Sequence, residues 1–259
     1  LAMVEGLKKG RTEARETPPV LPVDDETVEA TLEHLPQVVA DMVRLQRLTA
    51  ARPAEICIIR PCDIDRQGDI WQYSPSRHKT QYRSRTRTIP IGPRGQAILL
   101  RYLARDPETY CFRPADSESK RLAELHAERR TPLSCGNRPG SRAAKRGTRK
   151  RKKAPGEKYT TNSYRRAIHN GCDNAFPHPT LGSIPRTKLT AGQLAELKAW
   201  QSEHRWSPNQ LRHAAATEIR RKFGLEHSQV VLGHASAEIT QLYAERDMEK
   251  GAEVARQIG

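Results

Sequence analysis

Residues suited to phosphate chemistry are grouped in the last third of the chain. The run NQLRH at 209–213 precedes LGH at 232–234, and Tyr243 follows. A phosphodiester attacked in line by an oxygen nucleophile gains charge on its non-bridging oxygens, and planar guanidinium groups bind such oxygens well. Arg212 can supply a guanidinium, and Tyr243 the attacking oxygen, around one phosphate. This order indicates breakage of a DNA strand by a tyrosine nucleophile.

A second arginine is expected in such a site, because charge builds up on more than one phosphate oxygen. Arg52, in LTAARPAEI at 48–56, is the best candidate. Tyrosine is also a weak nucleophile at its reference pKa of about 10, so cationic neighbours must favour the phenolate as it attacks. Arg52, Arg212 and His234 can provide that positive charge around Tyr243.

The 5′ oxygen that leaves the phosphorus needs a proton, and a lysine can deliver one if cationic neighbours lower its pKa. Lys79 is the candidate for this general acid. It lies in SRHKT at 76–80, between the strand-like runs DIWQY at 69–73 and TRTIPI at 86–91. These flanks predict a β-hairpin that carries Lys79.

Five segments in succession resemble the signatures of the tyrosine recombinase, or phage integrase, catalytic domain. They are LTAARPAEICIIRPCDID, SRHKT with RTRTIPI, NQLRHAAATEI, VVLGHAS and ITQLYAE. The resemblance runs from about residue 24 to residue 243, and it is loose, with extra length, between Phe112 and Trp206. Tyr243 follows His234 by nine positions, as the family pattern requires. One such segment is weak support for the family, whereas five in the family's order are strong support.

The resemblance implies a role for each candidate side chain. Arg52 and Arg212 would clamp the scissile phosphate, and His234 would form a hydrogen bond with one of its oxygens. Lys79 would act as the general acid, and Tyr243 would form a 3′-phosphotyrosyl bond with double-stranded DNA. By the same resemblance, four protomers would assemble as a homotetramer on two DNA sites and exchange strands in pairs.

Asn209 departs from the family pattern, in which histidine is the commonest residue three positions before the second arginine. An amide can donate a hydrogen bond to a phosphate, but it cannot act as a base near neutral pH. We therefore place Asn209 in the candidate site and expect a slower, more solvent-dependent first step. By the resemblance, Glu55 would support the fold around Arg52.

Composition agrees with a nucleic-acid partner. The chain has 45 Lys and Arg residues against 30 Asp and Glu residues, a formal net charge of +15. Such a charge is typical of proteins that bind a polyanion. No apolar run approaches the roughly 20 residues that cross a bilayer. We expect a soluble, cytoplasmic, nucleoid-associated protein encoded by a bacterium, a phage or a mobile element.

The sequence gives no reason to expect a cofactor or a metal. Its five cysteines form no C-x-x-C pair, so neither a disulfide framework nor a structural zinc site is indicated. No nucleotide-binding glycine loop is evident. Arginine, lysine and histidine can stabilise the charge that a metal ion stabilises in other phosphate-transferring enzymes.

The chain is predicted to consist of a linker and one catalytic domain. Residues 1–23 would be a linker from a missing N-terminal DNA-binding domain, and residues 24–259 the catalytic domain. Insertions are expected at about 113–157 and at about 177–205. The first contains residues 138–153, with nine basic residues and no acidic one. Two interpretations of this basic run stay open: a solvated loop without a fixed partner, and an arm that grips DNA phosphates.

The predicted fold class is mainly α-helical with a small antiparallel β-sheet, an α+β arrangement like that of DNA breaking-rejoining enzymes. Apolar residues at helical spacing from Val38 to Leu48 predict a buried helix that leads into the Arg52 turn. Further helices are predicted after Pro53 and at about 97–103, 159–175 and 191–200.

The helix that carries Asn209 and Arg212 has a predicted start. Ser207 would be its N-cap, Pro208 its first residue, and Gln210 the partner that completes a capping box. Asn209 and Arg212, three positions apart, would then share one helix face.

The favoured hypothesis is a site-specific DNA recombinase that cuts and rejoins DNA through a covalent 3′-phosphotyrosine, for integration or excision of a mobile element. One alternative is a monomeric, topoisomerase-like strand-passage enzyme, which the LGH motif and the short tail disfavour. Another is a catalytically impaired DNA-binding protein of the same fold, for which Asn209 is the only hint. The tail at 244–259 would pack on a neighbouring protomer or fold back in cis, and the sequence leaves both open.

Overall fold

Helices form most of the protein. The structure, a computed structural model, describes residues 19–77, 87–130 and 154–233. The helices in these ranges are α1 (Asp25–Leu32), α2 (Gln37–Thr49), α3 (Pro53–Cys57), α4 (Pro93–Leu103), α5 (Pro114–Ala127), α6 (Thr161–Ala175), α7 (Ala191–His204), α8 (Pro208–Phe223) and α9 (Leu225–Leu232). Short 3-10 turns lie at Pro61–Asp63 and Arg186–Lys188.

A small sheet completes the fold. Its strands β1 (Ile64–Asp65), β2 (Trp71–Tyr73) and β3 (Ile89–Ile91) are antiparallel and lie in the order β1-β2-β3. The flanks of the predicted hairpin are therefore confirmed, because β2 and β3 pair directly. Lys79 itself lies outside the described residues. The predicted fold class, mainly α-helical with a small antiparallel sheet, is confirmed.

The helix before the Arg52 turn is buried, as its apolar spacing predicts. Within α2, Val39 and Met42 are fully buried, in a core that α1, α4 and α6 also help to form. Leu48 is the exception, since 38% of it is exposed. It follows Val39 by nine positions, and at about 100° per residue it points to the opposite side of the helix.

The start of α8 is at the predicted residue. Pro208 is the first helical residue, and the Gln210 side-chain oxygen accepts a hydrogen bond of 2.8 Å from the backbone N–H of Ser207. Gln46, buried at the end of α2, donates from its side chain to the Pro208 carbonyl at 2.9 Å and to the Ala51 carbonyl at 3.2 Å. This amide fixes the start of α8 against the chain that leads to Arg52.

Three helices, α5, α6 and α7, lie between α4 and α8, in the region where the sequence resemblance is loose. α5 was not predicted, and none of its residues is buried, so its sequence carries little apolar periodicity. α7 was predicted at about 191–200 and continues to His204. Leu181, Leu189 and Leu197 form a small apolar cluster apart from the main core. The basic run at 138–153 lies outside the described residues.

Candidate active site

Arg212 is buried in the interior, with only 2% of its surface exposed. Its guanidinium donates to the carbonyl of Ala50 and, at 2.7 Å, to the carbonyl of Leu232. Ala50 ends α2 in the left-handed conformation, with φ 52°, and is the one non-glycine residue with a positive φ in the described ranges. Arg212 therefore joins the end of α2 to the end of α9. Its contact with α2, at Ala50, lies two residues before Arg52.

Arg52 lies at the start of α3 and is held there by Glu55. The backbone N–H of Arg52 donates to one Glu55 carboxylate oxygen at 2.7 Å, and Nη1 donates to the other at 2.9 Å. The Arg52 side chain is 21% exposed, whereas that of Glu55 is 2% exposed. A buried carboxylate thus fixes a guanidinium that still reaches the surface. The supporting role expected for Glu55 agrees with these contacts.

Glu55 also provides the negative charge that balances the charges of Arg52 and Arg87. Burial by itself would raise the pKa of this carboxyl group, but the charges of Arg87 and Arg52, together with the Arg52 backbone hydrogen bond, outweigh burial and lower it. Glu55 is therefore ionised at neutral pH. The Tyr73 hydroxyl donates to the Glu55 backbone carbonyl at 2.7 Å, which ties this residue to β2.

Arg87 is a third arginine of the site, and sequence reasoning did not assign it. It is 7% exposed, its Nε lies 3.5 Å from Glu55 Oε1, and its Nη1 donates to the Val231 carbonyl at 3.1 Å. The strand pattern of the sequence contains a signal that Arg87 is buried. Arg87, Ile89 and Ile91 alternate with exposed residues and are all buried, so the register of β3 predicts an inward-facing arginine.

Asn209 lies in the first turn of α8 and is exposed, whereas Arg212 in the following turn is buried. The two residues belong to the same helix, so the helix start held by Gln46 positions both of them. The Asn209 amide is placed where a polar ligand in solvent can contact it.

Three of the sequence-predicted site residues, Lys79, His234 and Tyr243, lie outside the described residues. The structure brings together Arg52 and Arg212 and adds Glu55 and Arg87 to them. Their roles in catalysis remain predictions.

The described ranges also contain cysteine thiols. Cys57, Cys62, Cys111 and Cys172 are free thiols, and burial raises the pKa of Cys57 and Cys111 to about 12. Within the same ranges, no cluster of three or more His, Cys, Asp or Glu side chains could hold a metal ion. None of the described helices has the length and apolar character needed to cross a membrane.

Solved structures provide the comparison for this arrangement. The Tn1549 transposon integrase in complex with a circular intermediate DNA is similar at a TM-score of 0.51 and 14% identity, over 93% of this chain and 67% of that chain. The same integrase with transposon right-end DNA gives 0.51 and 15%, over 94% and 68%. A XerA recombinase gives 0.48 and 16%, over 93% and 66%.

The chain therefore spans about two thirds of the length of these solved chains. No protein-family model matches the sequence, and no curated protein matches it either. At 14% and 15% identity, the likeness to the integrase concerns the fold. The chain has the fold of a tyrosine recombinase catalytic domain.

Proposed function

We propose that this chain is the catalytic part of a site-specific DNA recombinase, which cleaves and rejoins DNA through a covalent 3′-phosphotyrosine in the integration or excision of a mobile element. One observation carries the proposal: Arg212 bonds the Ala50 carbonyl, two residues before Arg52. This contact places the Arg212 guanidinium against the backbone that leads into Arg52. A phosphate with two charged non-bridging oxygens is the ligand that suits a pair of guanidinium groups.

In the proposed reaction, Arg52 and Arg212 bind the non-bridging oxygens of the scissile phosphate and neutralise the charge that grows on them. The Tyr243 oxygen attacks phosphorus and forms a new P–O bond to the 3′ phosphate, while the bond from phosphorus to the 5′ oxygen breaks. Lys79 protonates the leaving 5′ oxygen, and His234 forms a hydrogen bond with a phosphate oxygen. A 5′ hydroxyl attacking the phosphotyrosine reverses these steps and reseals the strand.

The proton of Tyr243 must leave during the attack, and Asn209 cannot accept it near neutral pH. We infer that water takes this proton, because Asn209 is exposed to solvent at the start of α8. The amide instead donates a hydrogen bond to the phosphate. This assignment gives a slower cleavage step than a histidine at the same position would give.

Double-stranded DNA is the proposed partner, with four protomers on two DNA sites. The two Tn1549 integrase structures are complexes with DNA, and the formal charge of +15 suits a polyanion. We place the protein in the cytoplasm, associated with the nucleoid, as the location where its substrate lies.

A second candidate function is DNA binding without efficient cleavage. The observation that favours it is Asn209, whose side chain cannot serve as a general base. The presence of Arg52 and Arg212 favours the catalytic function, since two guanidinium groups suit the charge that develops on a phosphate under attack. A strand-passage enzyme acting as a monomer would share the same arginine pair.

Covalent trapping tests the proposed function. Nicked duplexes spanning the boundary of the encoding element would be incubated with the full chain, so that the cleaved fragment diffuses away, and analysed on a denaturing gel. We expect a protein–DNA band with wild type and with the control Tyr110→Phe, and none with Tyr243→Phe. Binding of the same DNA without a covalent band would instead support the impaired DNA-binding protein.

A further inference from the structure

Arg87 is an unusual residue for its position. It precedes β3 on the face that buries Ile89 and Ile91, where an apolar side chain would fit the alternating pattern. A buried guanidinium is costly unless its N–H groups are paired. Nevertheless, within the described ranges neither Nε nor Nη2 of Arg87 has a hydrogen-bond partner, and Nε makes only the ion pair with Glu55 at 3.5 Å. Core packing alone therefore does not explain an arginine at this position.

Arg87 connects parts of the site that are far apart in the sequence. On one side its Nε lies 3.5 Å from Glu55 Oε1, the same oxygen that accepts a hydrogen bond from Arg52. On the other side its Nη1 donates to the Val231 carbonyl, in the last turn of α9. A single planar guanidinium therefore spans the distance between the Arg52 turn and the end of α9.

The Arg87 guanidinium lies close to the backbone of Gly233. This glycine ends α9 in the left-handed conformation, with φ 63°, and a Cβ atom built on it would overlap the Arg87 guanidinium. Any other residue at this position would push the guanidinium away or move the turn. Glycine at 233 is required by the approach of Arg87 as well as by its own backbone conformation.

Two arginines thus hold the same turn. Arg212 bonds the Leu232 carbonyl, and Arg87 bonds the Val231 carbonyl immediately before it. The chain continues from Gly233 directly into His234. Because both carbonyls are fixed by guanidinium groups that also contact the Arg52 side of the site, the direction in which the chain leaves α9 is set relative to Arg52.

We propose that Arg87 is a positioning residue for DNA cleavage, which holds the end of α9 in a fixed place relative to Glu55 and Arg52. This inference rests on the proposed function for its catalytic consequence. In this role Arg87 acts through Glu55 and through the turn that ends at Gly233. Burial lowers the pKa of Arg87, and the charge of Glu55 opposes this shift only in part.

The test compares Arg87→Met and Arg87→Lys with wild type and with the control Arg101→Met. Arg101 also pairs with a buried carboxylate, Asp41, but contacts no site residue in the described part of the chain. For each full-length variant, three quantities are measured: the single-turnover cleavage rate, the Kd for the same DNA, and the hydrogen-exchange rates of the amides at 225–233.

We expect Arg87→Met to slow cleavage about 100-fold, the typical cost of a small misplacement of catalytic groups, with the Kd changed less than about 3-fold. The amides at 225–233 should exchange at least about 10-fold faster, because their local opening costs less free energy. Arg87→Lys should recover part of the rate, since it keeps the charge but cannot bridge two partners. Arg101→Met should leave all three quantities near wild type.

A second variant covers the case in which Arg87→Met does not fold. Gly233→Ala keeps Arg87 in the sequence but displaces its guanidinium from the turn, and we expect the same loss of rate with retained DNA binding. In the double variant with Arg87→Lys, the effect of Gly233→Ala should differ from its effect in wild type, because the two residues are in contact. Equal effects in both backgrounds would overturn the proposed contact.

Three further outcomes separate the proposed role of Arg87 from the proposed cleavage of DNA. If wild type cleaves and Arg87→Met cleaves equally well, Arg87 is not a positioning residue. A large loss of DNA affinity in Arg87→Met would overturn the inference in favour of a direct DNA contact. If wild type does not cleave, the proposed function fails, and the exchange rates alone then support or overturn the role of Arg87 in holding the turn.

Discussion

The two arginines of the candidate site are held by opposite kinds of partner. Arg52, partly exposed at the start of α3, pairs with the carboxylate of Glu55. Arg212, buried in α8, is held by the carbonyls of Ala50 and Leu232. A carboxylate cancels part of a guanidinium's charge, whereas carbonyl oxygens only orient it. We therefore propose that Arg52, paired with Glu55, mainly orients a bound phosphate, and that Arg212 supplies positive charge to it.

The largest expected effect distinguishes these two roles. Arg212→Ala should slow single-turnover cleavage roughly 10³-fold, and Arg52→Ala roughly 10²-fold, the range found when one donor to a developing oxyanion is lost. Arg212→Ala should also lower the free energy of unfolding by about 2 kcal/mol or more, because two buried carbonyls lose their donor. Arg52→Ala should lower the free energy of unfolding by about 1 kcal/mol. The loss is smaller because Glu55 still accepts the hydrogen bond from the backbone N–H of residue 52 and still lies beside Arg87. Rapid-quench kinetics and urea denaturation measure the two quantities.

Arg101→Ala is the matched control for this comparison, because Arg101 is ion-paired and remote from the arginine pair. Equal losses of stability in Arg52→Ala and Arg212→Ala would remove the distinction between a carboxylate-held and a carbonyl-held arginine.

The next effect concerns the carboxylate. Glu55→Gln leaves two guanidinium groups without their shared counter-charge, and it should lower the free energy of unfolding by about 3 kcal/mol at pH 7. The pKa of Glu55 is lowered by folding, so its stabilisation is fully present above the ordinary glutamate value of about 4.5 and is lost as pH falls below it. Denaturation between pH 7 and pH 3 should therefore show the gap between wild type and Glu55→Gln closing on the acid side. A gap that stays constant over this range would mean that Glu55 does not carry the ion pair.

The smallest expected effect is a gain. Asn209→His places an imidazole in the exposed first turn of α8, where it can accept the Tyr243 proton. We expect cleavage to become about 10-fold faster, a modest share of what general bases contribute, with a new loss of rate below about pH 6.5 as the imidazole becomes protonated. Single-turnover rates from pH 5.5 to 8.5 measure this, and Asn209→Gln serves as the control that keeps an amide. An unchanged rate and pH profile would indicate that proton removal from Tyr243 does not limit cleavage.

Local patterns in the sequence predicted the elements that position the site. The apolar spacing before Arg52 predicted α2, the paired apolar runs predicted β2 and β3, and the serine-proline-glutamine pattern predicted the start of α8. Each of these signals depends on neighbours within one or two turns. The prediction that Leu48 belongs to the apolar face is wrong, because nine positions after Val39 its side chain lies on the opposite side of the helix.

The network that joins the arginines could not be predicted in the same way. Gln46 reaches Pro208 across 162 positions, and Arg87 reaches Val231 across 144 positions. A sequence does not indicate which buried polar side chain will meet which distant carbonyl, since tertiary packing decides that. The alternation of buried and exposed positions leading into β3 predicts that Arg87 is buried, but it does not identify the partners of Arg87. α5 was missed because it buries no residue and so lacks an apolar stripe.

The central claim is that Arg52 and Arg212 act by neutralising one scissile phosphate. Its most direct test uses DNA in which a neutral methylphosphonate replaces that phosphate, since no charge then develops on the replaced oxygen. We predict that the rate deficit of Arg212→Ala relative to wild type, roughly 10³-fold on ordinary DNA, shrinks to about 10-fold or less on the methylphosphonate. A deficit of equal size on both substrates would contradict the claim and leave Arg212 with only its structural role between Ala50 and Leu232.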